Sequence, residues 1–182
     1  MSGRRVTYEY NAARRLKKIT DNEGSSFNYQ FDSMGNPILA ESRDKNNALT
    51  QTLSNQYNQL GQLTQSLGGE GQIDALTYDN NGNVRQSNDA YNQVNKTLYD
   101  ALNRVKEQID PNNNPSNFAY DSAGNLSEVI DQKGNLTQYQ YNGFNEVVEI
   151  NSPDTGVETF IYDLNGNLIS HTDARNITTT FR

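Results

Sequence analysis

The sequence predicts an all-β chain of tandem hairpin repeats that form a continuous, curved antiparallel sheet. Three observations carry this expectation. An aromatic residue followed by Asp or Asn recurs at Tyr10, Phe31, Tyr57, Tyr78, Tyr99, Tyr120, Tyr141 and Tyr162, at intervals of 21 residues with a single interval of 26. Four positions after it stands Gly35, Gly61, Gly82, Gly124 or Gly166, or else Asn103 or Asn145, residues that tolerate a left-handed backbone; only Arg14 departs. Two positions before it stands a second aromatic in five copies, Tyr8, Tyr29, Phe118, Tyr139 and Phe160, and Phe181 keeps the same phase.

With the recurring aromatic as position zero, each unit reads as one hairpin. Positions −2 and zero share a face of a strand, because side chains alternate along extended backbone. They hold 14 of the 17 aromatic residues, so that face is the expected core. The strand runs into Asp/Asn-x-x-Gly, where the side chain bonds nearby N–H groups and the glycine takes positive φ. A second strand starts at an aliphatic at +6, namely Leu16, Leu63, Val84, Val105, Leu126, Val147 or Leu168, with Pro37 as the exception. It ends at Asp21, Asp89, Asp110, Asp131 or Asp173 at +11, where Gly24, Gly71 and Gly134 at +14 mark a second, weaker turn signal. A lone hairpin is marginal in water, so the units must stack or roll up.

Composition agrees. The chain has 27 Asn, 13 Gly, 11 Tyr and 6 Phe among 182 residues, a mixture of turn formers and strand-favouring aromatics. The formal net charge of −7 makes nucleic acid an unfavourable partner. The basic residues Arg14, Arg15, Lys17 and Lys18, with Arg4 and Arg5 upstream, read as a solvated face. No cysteine is present, which removes disulfides and thiolate metal sites. Residues 1–10 contain no apolar signal-peptide core, and no window approaches the roughly 18 apolar residues of a membrane span. The five extra residues of the long interval fall between Phe31 and Tyr57, in a polar stretch around Asp44 to Asn55, and a surface turn is expected to absorb them. Pro111 and Pro115 flank another turn.

The repeats resemble the YD-repeat family, also called RHS repeats. Tyr120-Asp121-Ser122-Ala123-Gly124-Asn125-Leu126, followed by Asp131-Gln132-Lys133-Gly134, has the form of that family's signature, and Tyr162 to Leu168 is a second close copy. The likeness spans Tyr8 to Phe181. It implies a single array over residues 1–182 whose β-strip is part of a spiral shell enclosing a toxic C-terminal domain in a secreted or cell-surface bacterial protein. The remainder of the shell and the cargo would be its partners. The sequence has no recognisable core motif of the kind that closes such shells, and so reads as a cut from a longer wall. Strand edges around Val6 to Tyr10 and Thr178 to Phe181 are expected to self-associate.

No catalytic, cofactor-binding or metal-binding residue is assigned. His171, the single histidine, reads as a surface strand or turn residue rather than part of a triad. Asp154-Thr155-Gly156 spells an aspartic-protease tripeptide but occupies the second-turn register. Asp79 to Asn83, Asp163 to Asn167 and Gly68 to Gly71 are superficially like calcium loops and lack the required ligand spacing. The sequons at Asn95, Asn125, Asn135 and Asn176 follow from the repeat. The alternative function is a glycan-binding or adhesion surface, which requires exposed aromatics, and most of the aromatics here belong to the expected inner face.

Overall fold

The computed structural model describes residues 5–182, so Arg4 lies outside the described residues. Backbone pairing is antiparallel β throughout. The strands are β1 (Val6–Tyr10), β2 (Leu16–Asp21), β3 (Ser26–Phe31), β4 (Pro37–Arg43), β5 (Leu49–Tyr57), β6 (Leu63–Gly68), β7 (Ile73–Tyr78), β8 (Val84–Asn88), β9 (Val94–Tyr99), β10 (Val105–Ile109), β11 (Pro115–Tyr120), β12 (Leu126–Ile130), β13 (Leu136–Tyr141), β14 (Val147–Ser152), β15 (Gly156–Tyr162), β16 (Leu168–Thr172) and β17 (Thr178–Thr180). The chain divides into two compact units, one through Val94 and one from Asn95. In the first, β1 to β8 form a meander in which each strand pairs with the next. In the second, β9 to β17 do the same. Each aromatic at position zero ends an odd-numbered strand, as the repeat requires.

Turns alternate between two edges. Among the described residues, one residue of positive φ accompanies each of the sixteen turns, inside the turn in every case but Gly156, which opens β15. Gly82, Gly124 and Gly166 take φ of 88°, 93° and 81°, and Arg14 adopts 61° despite its side chain. The second turns are not weaker than the first. Where their left-handed position lacks glycine it is filled by Asn47, Asn92, Asn113 and Asn176, whose short amide tolerates the region.

Every first turn is followed by a bulge that periodicity did not disclose. Tyr141 faces Val147 but Gln140 faces Glu149, so Val148 is an extra residue, and the same shift recurs beside Tyr10, Phe31, Tyr57, Tyr78, Tyr99, Tyr120 and Tyr162. A one-residue slip exchanges the faces of a strand. The bulge therefore lets the +6 aliphatic and the +9 residue both join the aromatic face. Val129 lies opposite Phe118, Ile150 opposite Tyr139 and His171 opposite Phe160.

The expected core exists only as a half-buried face. Tyr57, Tyr78, Tyr99, Tyr120, Tyr141 and Tyr162 are all half-buried, but among the described residues no hydrophobic side chain is fully buried, and the buried side chains are Ser26 and Ser152. The reason is that each meander is one layer thick. A ring lies against its neighbours in the sheet with nothing above it. The three aromatics outside positions −2 and zero, Phe27, Tyr91 and Phe144, are exposed at 51%, 83% and 79%.

The five extra residues of the long interval correct the sequence reading, because they lengthen strands rather than a turn. The turn Asp44 to Ala48 has the same hydrogen bonds as the others, Asp44 N–H to Ala48 O at 2.9 Å and Asn47 N–H to Asp44 O at 2.9 Å. Compared with β12 and β13, β4 is two residues longer and β5 three residues longer. The added segments pair with each other, Glu41 to Thr52 and Ser42 to Gln51, so they extend the ladder instead of adding loop.

One-layer packing makes a graded prediction for Tyr120. Removing its ring with Tyr120→Ala is expected to cost about 2–4 kcal/mol, below a fully buried aromatic truncation, whereas Ala119→Ser on the opposite, exposed face is expected to be within about 0.5 kcal/mol of neutral. Urea unfolding followed by circular dichroism distinguishes these. Equal midpoints for the two variants would remove the assignment of an inner face.

Candidate functional site

The side chains that distinguish this sequence converge on turns and on contacts between successive repeats. Fourteen of the sixteen turns begin with Asp or Asn. In the turn at Asp121 the backbone closes through Asp121 N–H to Asn125 O at 2.9 Å and Gly124 N–H to Asp121 O at 3.1 Å. Asp121 Oδ1 accepts from Asn125 N–H at 2.8 Å, and Oδ2 accepts from Asn125 Nδ2 at 3.0 Å. The second turn at Asp131 repeats this, with Oδ1 accepting from Lys133 and Asn135 N–H and Oδ2 from Asn135 Nδ2. A carboxylate that accepts several N–H bonds is stabilised in its charged form. The carboxyls of Asp32, Asp79, Asp121 and Asp163 are held below the ordinary value chiefly by the side-chain amide at +5, Asn36, Asn83, Asn125 and Asn167. Those of Asp100, Asp110, Asp131 and Asp173 are lowered chiefly by the backbone N–H four residues on.

Two contact series join one repeat to the next. The phenol of a position-zero tyrosine donates to the carbonyl at +6 of the preceding repeat: Tyr57 to Pro37 O at 3.1 Å, Tyr78 to Leu63 O at 2.6 Å, Tyr120 to Val105 O at 2.9 Å and Tyr141 to Leu126 O at 2.9 Å. Pro37, the exception among the aliphatics, still supplies this acceptor because the contact uses backbone. Along the first-turn edge, the +5 side chain reaches the following repeat. The Arg104 guanidinium lies 4.2 Å from the Tyr120 ring centroid while bonded to Asp100, and Arg15 lies over Phe31. Asn125 Nδ2 donates to Asn145 Oδ1 at 2.8 Å. A Cβ on Gly35 would collide with the Arg15 guanidinium, and one on Gly166 would stand 2.9 Å from Glu146 Oε1. Glycine at +4 therefore gives both positive φ and clearance for its neighbour. Position +5 varies among Asn, Arg, Gln62 and Glu146 and was legible only as a polar residue, and the phenol acceptors left no signal because they are main-chain atoms.

The residues singled out from the sequence fall into this frame. His171 stacks on Phe160 with centroids 4.8 Å apart, and its Nε2 lies 2.8 Å from Glu158 Oε2. It is a strand residue at +9, not a turn residue. Asp154 to Gly156 completes the turn after Ser152, whose Oγ accepts from Asp154 N–H. The Asp79 and Asp163 carboxylates are occupied by the N–H groups and amides of their own turns. Among the described residues no group of three or more His, Asp or Glu is placed to hold a metal ion. The basic residues do not form one patch: Arg15 turns towards Phe31, Lys17 is the bulged residue, and Lys18 pairs across from Glu9. The Asn125 and Asn135 sequon amides are engaged by Asp121 and Asp131.

Two segments, residues 99–135 and 120–157, match the RHS Repeat family model, and both start at a position-zero tyrosine. Residues 99–157 therefore carry the RHS repeat pattern. No curated protein matches it. Its fold is similar to the crystal structures of TcdB2-TccC3-Cdc42 (TM-score 0.66), TcdB2-TccC3 (0.65) and TcdB2-TccC3 without its hypervariable C-terminal region (0.65). Each is 14% identical, and the match covers 94% of the present chain. The present chain spans 12% of the length of those proteins. Among the described residues no helix is long and apolar enough to cross a membrane.

Two predictions follow from the edge of the RHS array. Replacing Gly35 with Asn keeps a residue that tolerates positive φ but collides with Arg15, whereas Gly134→Asn meets nothing within 4 Å. The Arg15 guanidinium must move off Phe31 to make room, so Gly35→Asn is expected to lower the melting midpoint modestly and Gly134→Asn to leave it nearly unchanged, with Gly35→Asn costing little further once Arg15→Ala is in place. Equal effects at the two glycines would refute the clearance argument. The second concerns acid. The eight lowered Asp pKa values contribute stability above the ordinary value of 3.8, and it is lost as pH falls through the lower folded-state values. Melting midpoints are expected to drop below that pH, less steeply in Asp121→Asn, because Asn already serves at Asn58 and Asn142.

Proposed function

We propose that this chain is a non-catalytic wall segment of a larger RHS protein, one eight-repeat array of a shell that encloses a toxic C-terminal domain and is exported to the bacterial surface or beyond. The observation that carries the reading is the use made of the conserved-looking polar positions within the repeat: Asp or Asn at +1 holds its own turn, and +5 and the phenol hold the next repeat. A unit built this way adds two strands of wall each time it is copied. Likeness to the TcdB2-TccC3 fold over nearly the whole chain supports the same reading, and one of those structures is described as lacking a hypervariable C-terminal region, the place where this reading puts cargo. The neighbouring repeats of the same wall and the cargo behind it are the proposed partners.

Limited proteolysis of the full-length parent, with its C-terminal domain followed by immunoblot, tests the proposal. The domain is expected to resist protease in the intact protein and to become cleavable when Tyr78, Tyr120 and Tyr141 are all changed to Ala. The 182-residue chain added in trans to the free domain is expected to give no protection. A C-terminal domain cleaved at the same rate with intact and disrupted repeats overturns the enclosing role.

A further inference from the structure

Three departures from the repeat pattern meet at one place on the second-turn edge, one in the long repeat and two in the repeat that follows it. The first departure is an overhang. β5 pairs with β6 only as far as Leu53 opposite Gly68, so Leu49, Gln51 and Thr52 have a ladder partner on the β4 side alone, with Thr50 a bulged residue between them. On β7, β11 and β13 the corresponding overhang is two residues, Ile73–Asp74, Pro115–Ser116 and Leu136–Thr137, and on β15 it is three, Gly156–Glu158. The second departure is Gly68, which replaces the Asp that opens most second turns; that turn is instead braced by Glu70 N–H donating to Gln72 Oε1 at 3.0 Å.

The third departure is Gly69. The same place in the other second turns carries a side chain, Asn22, Lys45, Ala90, Pro111, Gln132, Pro153 or Ala174. Gly69 has no positive φ, so its backbone does not require glycine. A Cβ there would lie 3.5 Å from both the N and the O of Thr52, against the open edge of β5. Its absence keeps that edge accessible. The result is a groove of about 520 Å³ between Leu49–Thr52 and Gly69, Glu70 and Gln72.

We propose that this groove docks an extended polypeptide segment bearing lysine or arginine, which adds to β5 as a further strand. Free main-chain N–H and C=O groups along an edge are matched by another main chain, with alternate side chains giving selectivity. Leu49 to Thr52 span about 13 Å, with the bulge at Thr50 separating Leu49 from the regular ladder of Gln51 and Thr52. Leu49, half exposed, supplies apolar contact at the outer end. Glu70 is the only charged residue lining the groove, and it favours a basic side chain in the incoming strand. The groove lies in the first compact unit and uses none of the phenol or first-turn contacts that hold the wall.

The test is fluorescence polarisation of the chain with a labelled decapeptide of alternating Thr and Lys. Saturable binding is expected below about 1 mM, the range of a weak strand addition. Gly69→Val, which fills the groove, should weaken it roughly tenfold or more, and Gln132→Val at the same place in another second turn should not. Circular dichroism melting reports whether Gly69→Val folds. Independently of any protein variant, two peptides N-methylated on alternate residues in opposite phase should include at least one that no longer binds. Replacing Lys by Glu in the peptide should abolish binding, and Glu70→Gln should weaken the Lys peptide several-fold. No binding of the Thr–Lys peptide, full binding of both N-methylated peptides, or equal binding of the Glu peptide overturns the proposal. Dimerisation in sedimentation that Gly69→Val removes would assign the groove to a second copy and overturn it as well.

Discussion

A carboxylate or amide one residue after the aromatic, accepting the N–H groups of its own turn, is the interaction on which the remainder of this structure depends. A three-residue reversal leaves main-chain donors without a strand partner, and Asp121 or Asp131 supplies the missing acceptor at 2.8 Å. The following left-handed residue closes the loop, and the bulge sets the register of the returning strand. Because the same device stands at fourteen of the sixteen turns, the direction of the chain reverses at fixed intervals, and the 21-residue period is its consequence.

A sheet one layer thick cannot bury side chains completely, and this chain has no fully buried hydrophobic group among the described residues. Tyrosine suits that situation better than leucine. Its ring covers a neighbouring strand, and its hydroxyl bonds a carbonyl of the preceding repeat instead of remaining an unsatisfied polar group. Cohesion is thereby transferred from a central core to contacts between nearest neighbours, the arrangement expected of repeat proteins. An array of this kind can be lengthened or locally modified without loss of the whole, and the long repeat shows one such modification, with both of its strands extended in register.

Much of the fold was legible because its determinants are local. The aromatic phase, the Asp or Asn, and the glycine at Gly82, Gly124 and Gly166 each act within a few residues of themselves, so their spacing along the chain translates directly into strand, turn and face. Of the three aromatics outside that phase, Tyr91 and Phe144 stand in turns and are exposed, whereas Phe27 shares the strand phase of Tyr29 and Phe31 and is nonetheless half exposed. The resemblance carried by Tyr120 to Gly134 lies within the two segments that match the family model.

What the sequence determined alone was therefore the unit: its length, its two turns and the side on which its rings lie. Tertiary structure decided how units meet. The acceptors of the phenols are main-chain carbonyls, which every residue possesses and no pattern can mark, and so Pro37 serves as well as Leu63. The bulge at +7 places residues as different as Lys17, Arg85 and Val148 in one geometry, because it is set by register and not by side chain. The five added residues were assigned to a turn because loops accept length cheaply, yet residues 41–43 and 49–52 could pair with each other, and continued ladder hydrogen bonds placed them in the strands.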